Sequence, residues 1–149
     1  MRYVGFWARS AAAVIDTLLL MLITTPILLW TYGVSGMMEP VLVRGPVDLL
    51  VSWVGPMVAT FVFWRYRSAT PGKMIIGAVI VDARNGGAPS MSQLVIRFVA
   101  YFASIVPFFL GFVWIAFDAR KQSFHDKLAR TVVVYRDSIA SSIDGGAGQ

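Results

Sequence analysis

Hydrophobic and polar positions along this chain fall into three apolar runs separated by polar, basic segments. The first, about Ser10–Tyr32, carries no charge except Asp16 and is long enough to cross a bilayer as a helix. Pro26 predicts a kink in its far half, where Thr24 and Thr25 can satisfy backbone groups that the proline frees. The second run, about Val47–Trp64, opens on Asp48 and holds Gly55 and Pro56 at its middle. The third, about Leu94–Phe117, is interrupted, with Arg97 near its start and Pro107 and Gly111 in its centre. Outside these runs, residues Ala78–Ala83 and Thr131–Arg136 are β-branched segments of strand length. An isolated strand leaves its backbone unpaired, so the two predict one small two-stranded sheet. Asn85, Gly86 and Gly87 predict a tight turn, and Ser90 with Gln93 a capping box that opens the next helix. Thr70 as N-cap with Pro71 behind it predicts a short interfacial helix. The fold expected is an all-α membrane protein: two transmembrane helices, a proline-broken third segment and a small β element.

Composition agrees with that class and narrows it. The chain is 149 residues, 57% hydrophobic and only 14% charged, too apolar for an ordinary soluble domain. One membrane domain over residues 1–137 accounts for it. The tail 138–149, rich in Ser, Ala and Gly, is expected to be disordered. A signal peptide does not fit the N-terminus, because a secretory apolar core is usually about 7–15 residues and this run is longer and acidic.

Charge sets the orientation. With three full crossings the thirteen basic residues divide seven to six between the two sides. If the third segment turns back at Pro107 as a re-entrant hairpin, only Arg44 lies on the far side, a division of twelve to one. Cytoplasmic loops favour Lys and Arg, so the hairpin is expected, with both termini and the sheet cytoplasmic. The net charge of +5 needs no nucleic-acid partner, since the basic residues flank apolar runs instead of forming a face. Trp7, Trp30, Tyr32, Trp64 and Tyr66 sit near the predicted ends as interfacial rings.

Candidate chemistry is sparse. No cysteine and a single histidine, His125, leave no cysteine-bearing or multi-histidine metal site to build. Gly72 with Lys73 does not complete a phosphate-binding loop, because position 67 is Arg67 and the next residue is Met74. His125 beside Asp126 is not a triad. The sequence therefore predicts no enzyme, no cofactor and no metal. What remains is a charged seam. Arg9 and Asp16 are seven residues apart, on nearly one side of the helix and about 10 Å apart along it. Each needs a partner elsewhere: Asp126 is expected for Arg9, and Arg97 for Asp16. Asp16 reads either as a structural clamp or as a proton- or cation-handling group. Ser123 with Asp126 reads as a second capping box.

Three spaced fragments carry a family resemblance: Phe6, Trp7, Ala8 and Arg9 with Asp16; Thr70 to Lys73 followed by Gly77 to Asp82; and Gln122 to Thr131 with the valines behind it. Together they resemble the RDD family of bacterial membrane proteins, named for one arginine and two aspartates. The arginine maps to Arg9, the first aspartate to Asp16, and the second most directly to Asp126, with Asp118 the weaker match. Arg130 departs from the pattern, since relatives often carry glycine there. The resemblance implies a multi-pass protein of the bacterial cytoplasmic membrane. The family's molecular function is largely undefined, with transport of unidentified ligands, including cation/proton exchange, proposed for some members. Here that would make a monovalent cation or proton the species moved, and so few spans in the lipid bilayer would need a homo-oligomer or other membrane proteins to form a path. A non-transporting scaffold or anchoring module is the alternative.

Overall fold

A computed structural model describes residues 1–105, 115 and 117–144. Helix α1 (Phe6–Met38) occupies the whole first apolar run and extends past both of its predicted ends. Its backbone stays helical through Pro26 and departs at Gly33 (φ 66°), in the left-handed region that glycine enters without a Cβ clash. The second run forms α2 (Pro46–Asp48), a π-helical stretch Leu49–Val54, and α3 (Gly55–Arg67). Pro56 accounts for the wide stretch. Its nitrogen has no proton for the carbonyl four residues back, and the Gly55 N–H reaches Leu50, five residues back. Both Phe6–Met38 and Pro46–Ile75 are long and apolar enough to cross a membrane, and only 11% of each apolar window is buried. Leu18, Leu22 and Trp30 stand open on the surface, the arrangement suited to helices bathed in lipid.

Ser68 closes α3 in a left-handed turn (φ 51°), and Thr70 with Pro71 then starts α4 (Pro71–Ile75) as expected. Strand β1 (Ala78–Asp82) follows, then α5 (Met91–Ile105), α6 (Phe124–Leu128), β2 (Thr131–Tyr135) and α7 (Arg136–Asp144). The predicted turn between β1 and α5 is present: Gly86 has φ 71°, and the Gly87 N–H donates to Asn85 Oδ1 at 2.9 Å. So is the capping box, in which the Ser90 N–H donates to Gln93 Oε1 at 2.9 Å and the Gln93 N–H to Ser90 Oγ at 3.3 Å.

The strands pair antiparallel, with Ala78 opposite Tyr135 and Asp82 opposite Thr131. The N-terminus lies along the outer side of β2: the Val4 N–H donates to Val133 O and the Tyr135 N–H to Arg2 O, each at 3.0 Å. Because side chains alternate across a strand, the sheet has two faces. Ala78, Ile80 and Val133 pack with Val4, Trp64 and Leu94, which ties the sheet to α3 and α5. Val79, Val81, Val132 and Val134 pack on the other side with Tyr3 and Ile139.

Two expectations change. Trp64 is not an interfacial ring. It is 2% exposed, inside the core between Phe98 and Tyr101, whereas Trp7, Trp30 and Tyr66 are open. Residues 138–144 are helical, where composition predicts disorder, because α7 continues directly from β2 and Ile139 packs on the valine face. The expected reversal at Pro107, and Gly111, lie outside the described residues, as do residues 145–149.

Candidate functional site

The seam has two stations along α1, one turned to α6 and one to α4. At the first, Ser123 and Asp126 form the predicted capping box of α6, and the Ser123 N–H donates to Asp126 Oδ2 at 3.1 Å. That box fixes a fully buried carboxylate between two guanidiniums. Arg9 Nη1 bonds Asp126 Oδ2, and Arg97 Nη1 meets Oδ1 as an ion contact. Arg9 is satisfied at every corner, donating through Nε to Val4 O at 3.0 Å and through Nη2 to Lys121 O at 2.6 Å. Arg97 is fully buried. It donates to Thr131 Oγ1 at 2.7 Å and lies 5.2 Å from the centre of the Trp64 ring. The cluster thus links the start of α1, the middle of α5, the cap of α6 and the start of β2.

Burial alone would raise the Asp126 pKa. The Arg97 and Arg9 guanidiniums outweigh that and hold the carboxyl well below its ordinary range. His125 responds the other way. Burial pushes it down to about 3, with Arg97 and Lys73 adding to the effect against Asp126, so the imidazole is neutral. Its Nε2 lies 2.8 Å from Ser123 Oγ, and its ring lies 4.4 Å from that of Tyr101.

At the second station Asp16, half-buried, accepts from Thr70 Oγ1 at 2.6 Å and from the Gly72 N–H at 2.7 Å. Thr70 has the backbone of an N-cap but makes no side-chain cap bond; the carboxylate from α1 receives an orphan N–H of α4 in its place. Gly72 permits the approach, since a Cβ there would lie 2.1 Å from Ala12 O.

The sequence pairing of Arg9 with Asp126 matches the structure, and the pairing of Asp16 with Arg97 does not. Arg97 turns to Asp126, and both oxygens of Asp16 are taken by α4. Asp118 stands apart. It shapes its own turn by accepting the Arg120 and Gln122 N–H groups at 3.1 and 3.0 Å, and it pairs with Lys127 at 2.5 Å. Sequence reasoning missed Thr131, Gly72 and the buried role of Trp64. One signal was available: Gln93, Arg97 and Tyr101 recur every four residues on one face of α5. Gln93 Nε2 donates to Arg130 O at 3.1 Å, so the upper member of that stripe also holds the turn before β2. No group of three or more metal-binding side chains occurs among the described residues.

A separate ion pair lies at the opposite end of α1. Arg44 donates to the carbonyls of Gly36 and Met37 at 2.9 and 3.1 Å and pairs with Asp48, which also accepts from Ser52 at 2.6 Å. Arg44 thereby caps the carbonyl end of α1 and joins it to the head of the second helix.

Comparison with known proteins places this geometry. The chain is 40% identical over 72 residues to the uncharacterized protein RP437 of Rickettsia prowazekii (strain Madrid E), covering 48% of this chain and 39% of that one. It is 39% identical over 67 residues to the uncharacterized protein YxaI of Bacillus subtilis (strain 168), covering 45% and 43%. The chain thus matches less than half the length of either relative. No solved structure matches. The model of the RDD family matches residues 3–130, which takes in Arg9, Asp16, Asp118 and Asp126, and the chain belongs to the RDD family of membrane proteins.

Proposed function

We propose that this protein is a non-transporting membrane module, a scaffold or anchor for other membrane proteins, in which the arginine–aspartate seam is a structural lock. One observation carries the reading: each seam carboxylate is already occupied from within the chain. Asp126 is closed between Arg9 and Arg97, and Asp16 is held by Thr70 and Gly72. A carrier needs a carboxylate that exchanges partners, whereas both of these are engaged by groups of the same chain. The module sits in the bacterial cytoplasmic membrane with both termini on the cytoplasmic side, a topology supported by the twelve-to-one division of basic residues. The open faces of the two long helices suit a homo-oligomer or other membrane proteins.

A second reading, exchange of a monovalent cation and a proton through Asp16, is favoured by that residue's partial exposure. Flux in proteoliposomes separates the two, with wild type measured beside Asp16→Asn and protein-free vesicles. The lock predicts sodium, potassium and proton fluxes in wild type equal to the protein-free background. A wild-type flux that Asp16→Asn abolishes would overturn the lock and establish exchange.

A further inference from the structure

We propose that an open groove along the outer side of β1 binds one anionic phospholipid from the adjoining leaflet, with its headgroup on Arg67 and Arg136. The groove, about 450 Å³, lies between β1, the Gly86–Ala88 turn and the first turns of α7. That volume is within the usual range of small-molecule sites. Its walls are apolar, formed by Val79, Ile139 and Ala140, and offer a trough for part of an acyl chain.

The rim is cationic. Arg67 and Arg136 are both exposed at the groove, and neither enters an ion pair among the described residues. Arg84 nearby is different, being paired with Asp82 at 3.1 Å. Position selects the ligand's source. Arg67 is the last residue of α3, so the rim stands where the second apolar helix ends, the depth of lipid headgroups. A lipid can therefore enter sideways, phosphate against the arginines and chain along the trough.

Charge complementarity gives the expected size of the effect. A basic residue near an anionic leaflet adds about five-fold in affinity, so removing both arginines should weaken binding about thirty-fold. The test is native mass spectrometry of the full chain in detergent with added phosphatidylglycerol, phosphatidylcholine or inorganic phosphate. Wild type should retain one phosphatidylglycerol, retain phosphatidylcholine far more weakly, and show no phosphate adduct. Arg67→Gln with Arg136→Gln should lose the lipid, while Arg120→Gln with Arg130→Gln, at exposed arginines outside the groove, should retain it within two-fold. Ala140→Trp keeps both arginines and fills the trough, and should also lose it. Equal retention of the two lipids, equal binding by the rim double variant, or unchanged binding by Ala140→Trp would each overturn the site. Phosphate bound as tightly as the lipid would show a free-anion site and overturn the lipid assignment.

Discussion

Replacing Asp126 by Asn keeps the shape of the side chain and removes the one negative charge between two buried guanidiniums. Breaking a buried ion pair by removing one partner typically costs about 3–5 kcal/mol, because the other charge is left uncompensated. Here two cations are stranded at once, but the loss is not simply doubled, since Arg9 keeps the carbonyls of Val4 and Lys121. A cost of roughly 4–5 kcal/mol is expected, comparable with the whole stability of a marginal domain. Arg97→Met makes the contrast. It leaves Asp126 paired one-to-one with Arg9 and removes a guanidinium whose buried Nε has no hydrogen-bond partner among the described residues. That change should cost only about 1–2 kcal/mol. In the Arg97→Met background, Asp126→Asn strands one cation in place of two, so the double variant should be less damaged than the sum of the singles. Exchanging the charges with Arg9→Asp and Asp126→Arg should fail to rescue, because the introduced cation meets Arg97, and should succeed in part once Arg97 is Met. The assay is folded yield and thermal midpoint of the detergent-solubilised protein. If Arg97→Met is as damaging as Asp126→Asn, or the simple exchange restores the protein, the three-charge account is wrong.

Gly72→Ala should unseat α4 from α1 and reduce folded yield sharply, because its Cβ would meet the Ala12 carbonyl at 2.1 Å; Gly5→Ala, with nothing within 4 Å, should be neutral by the same measurement. Stability should fall on acidification. Folded His125, at about 3, stays neutral while the unfolded chain takes up a proton below about 6.5, so stability present above that pH is lost towards pH 3 at up to about 1.4 kcal/mol per unit. Protonation of Asp126 in the unfolded chain adds a further loss below about pH 4. Urea titrations across this window should show a shallower slope for His125→Gln, and an unchanged slope would contradict a buried neutral imidazole. Arg130→Gly should raise the thermal midpoint slightly, since Arg130 holds φ 52° and its side chain is exposed; relief of about 1–2 kcal/mol of left-handed strain exceeds glycine's entropic cost of about 0.5–1 kcal/mol. A lower midpoint would mean that the Arg130 side chain contributes to the turn.

Local signals carried most of the fold. The two β-branched runs, the Ser90 and Ser123 boxes and the Thr70–Pro71 start are short-range patterns, and a chain of this length offers them few competing partners. Arg9 with Asp126 was legible for a different reason: the hairpin topology puts Asp126 on Arg9's side of the membrane, and the resemblance picks it out from the other aspartates there. Asp16 was misassigned because charge was matched to charge. Its partners are a hydroxyl and a backbone N–H, and no sequence pattern announces a helix end brought from elsewhere in the fold. Trp64 was misplaced because an aromatic ring near a helix end fits either the headgroup layer or a core. Only the sheet beneath it decides.

The Arg9–Asp126 contact spans 117 positions, which constrains the order of biogenesis. Ribosomes add about 5–20 residues each second, so roughly 6–25 s separates the appearance of the arginine from that of its carboxylate. Throughout that interval the Arg9 guanidinium lacks its counter-ion. Closure of the lock, together with the rung of Val4 on Val133, can then act only as a late checkpoint, once residues 126–133 are made. A chain stopped before Asp126 carries both long helices, already joined through Asp16 and Arg44, but leaves Arg9 and Arg97 without their carboxylate, so membrane proteases meet a substrate with an open end. Pulse-chase turnover of chains stopped just before and just after Asp126 would expose that checkpoint as a step in half-life.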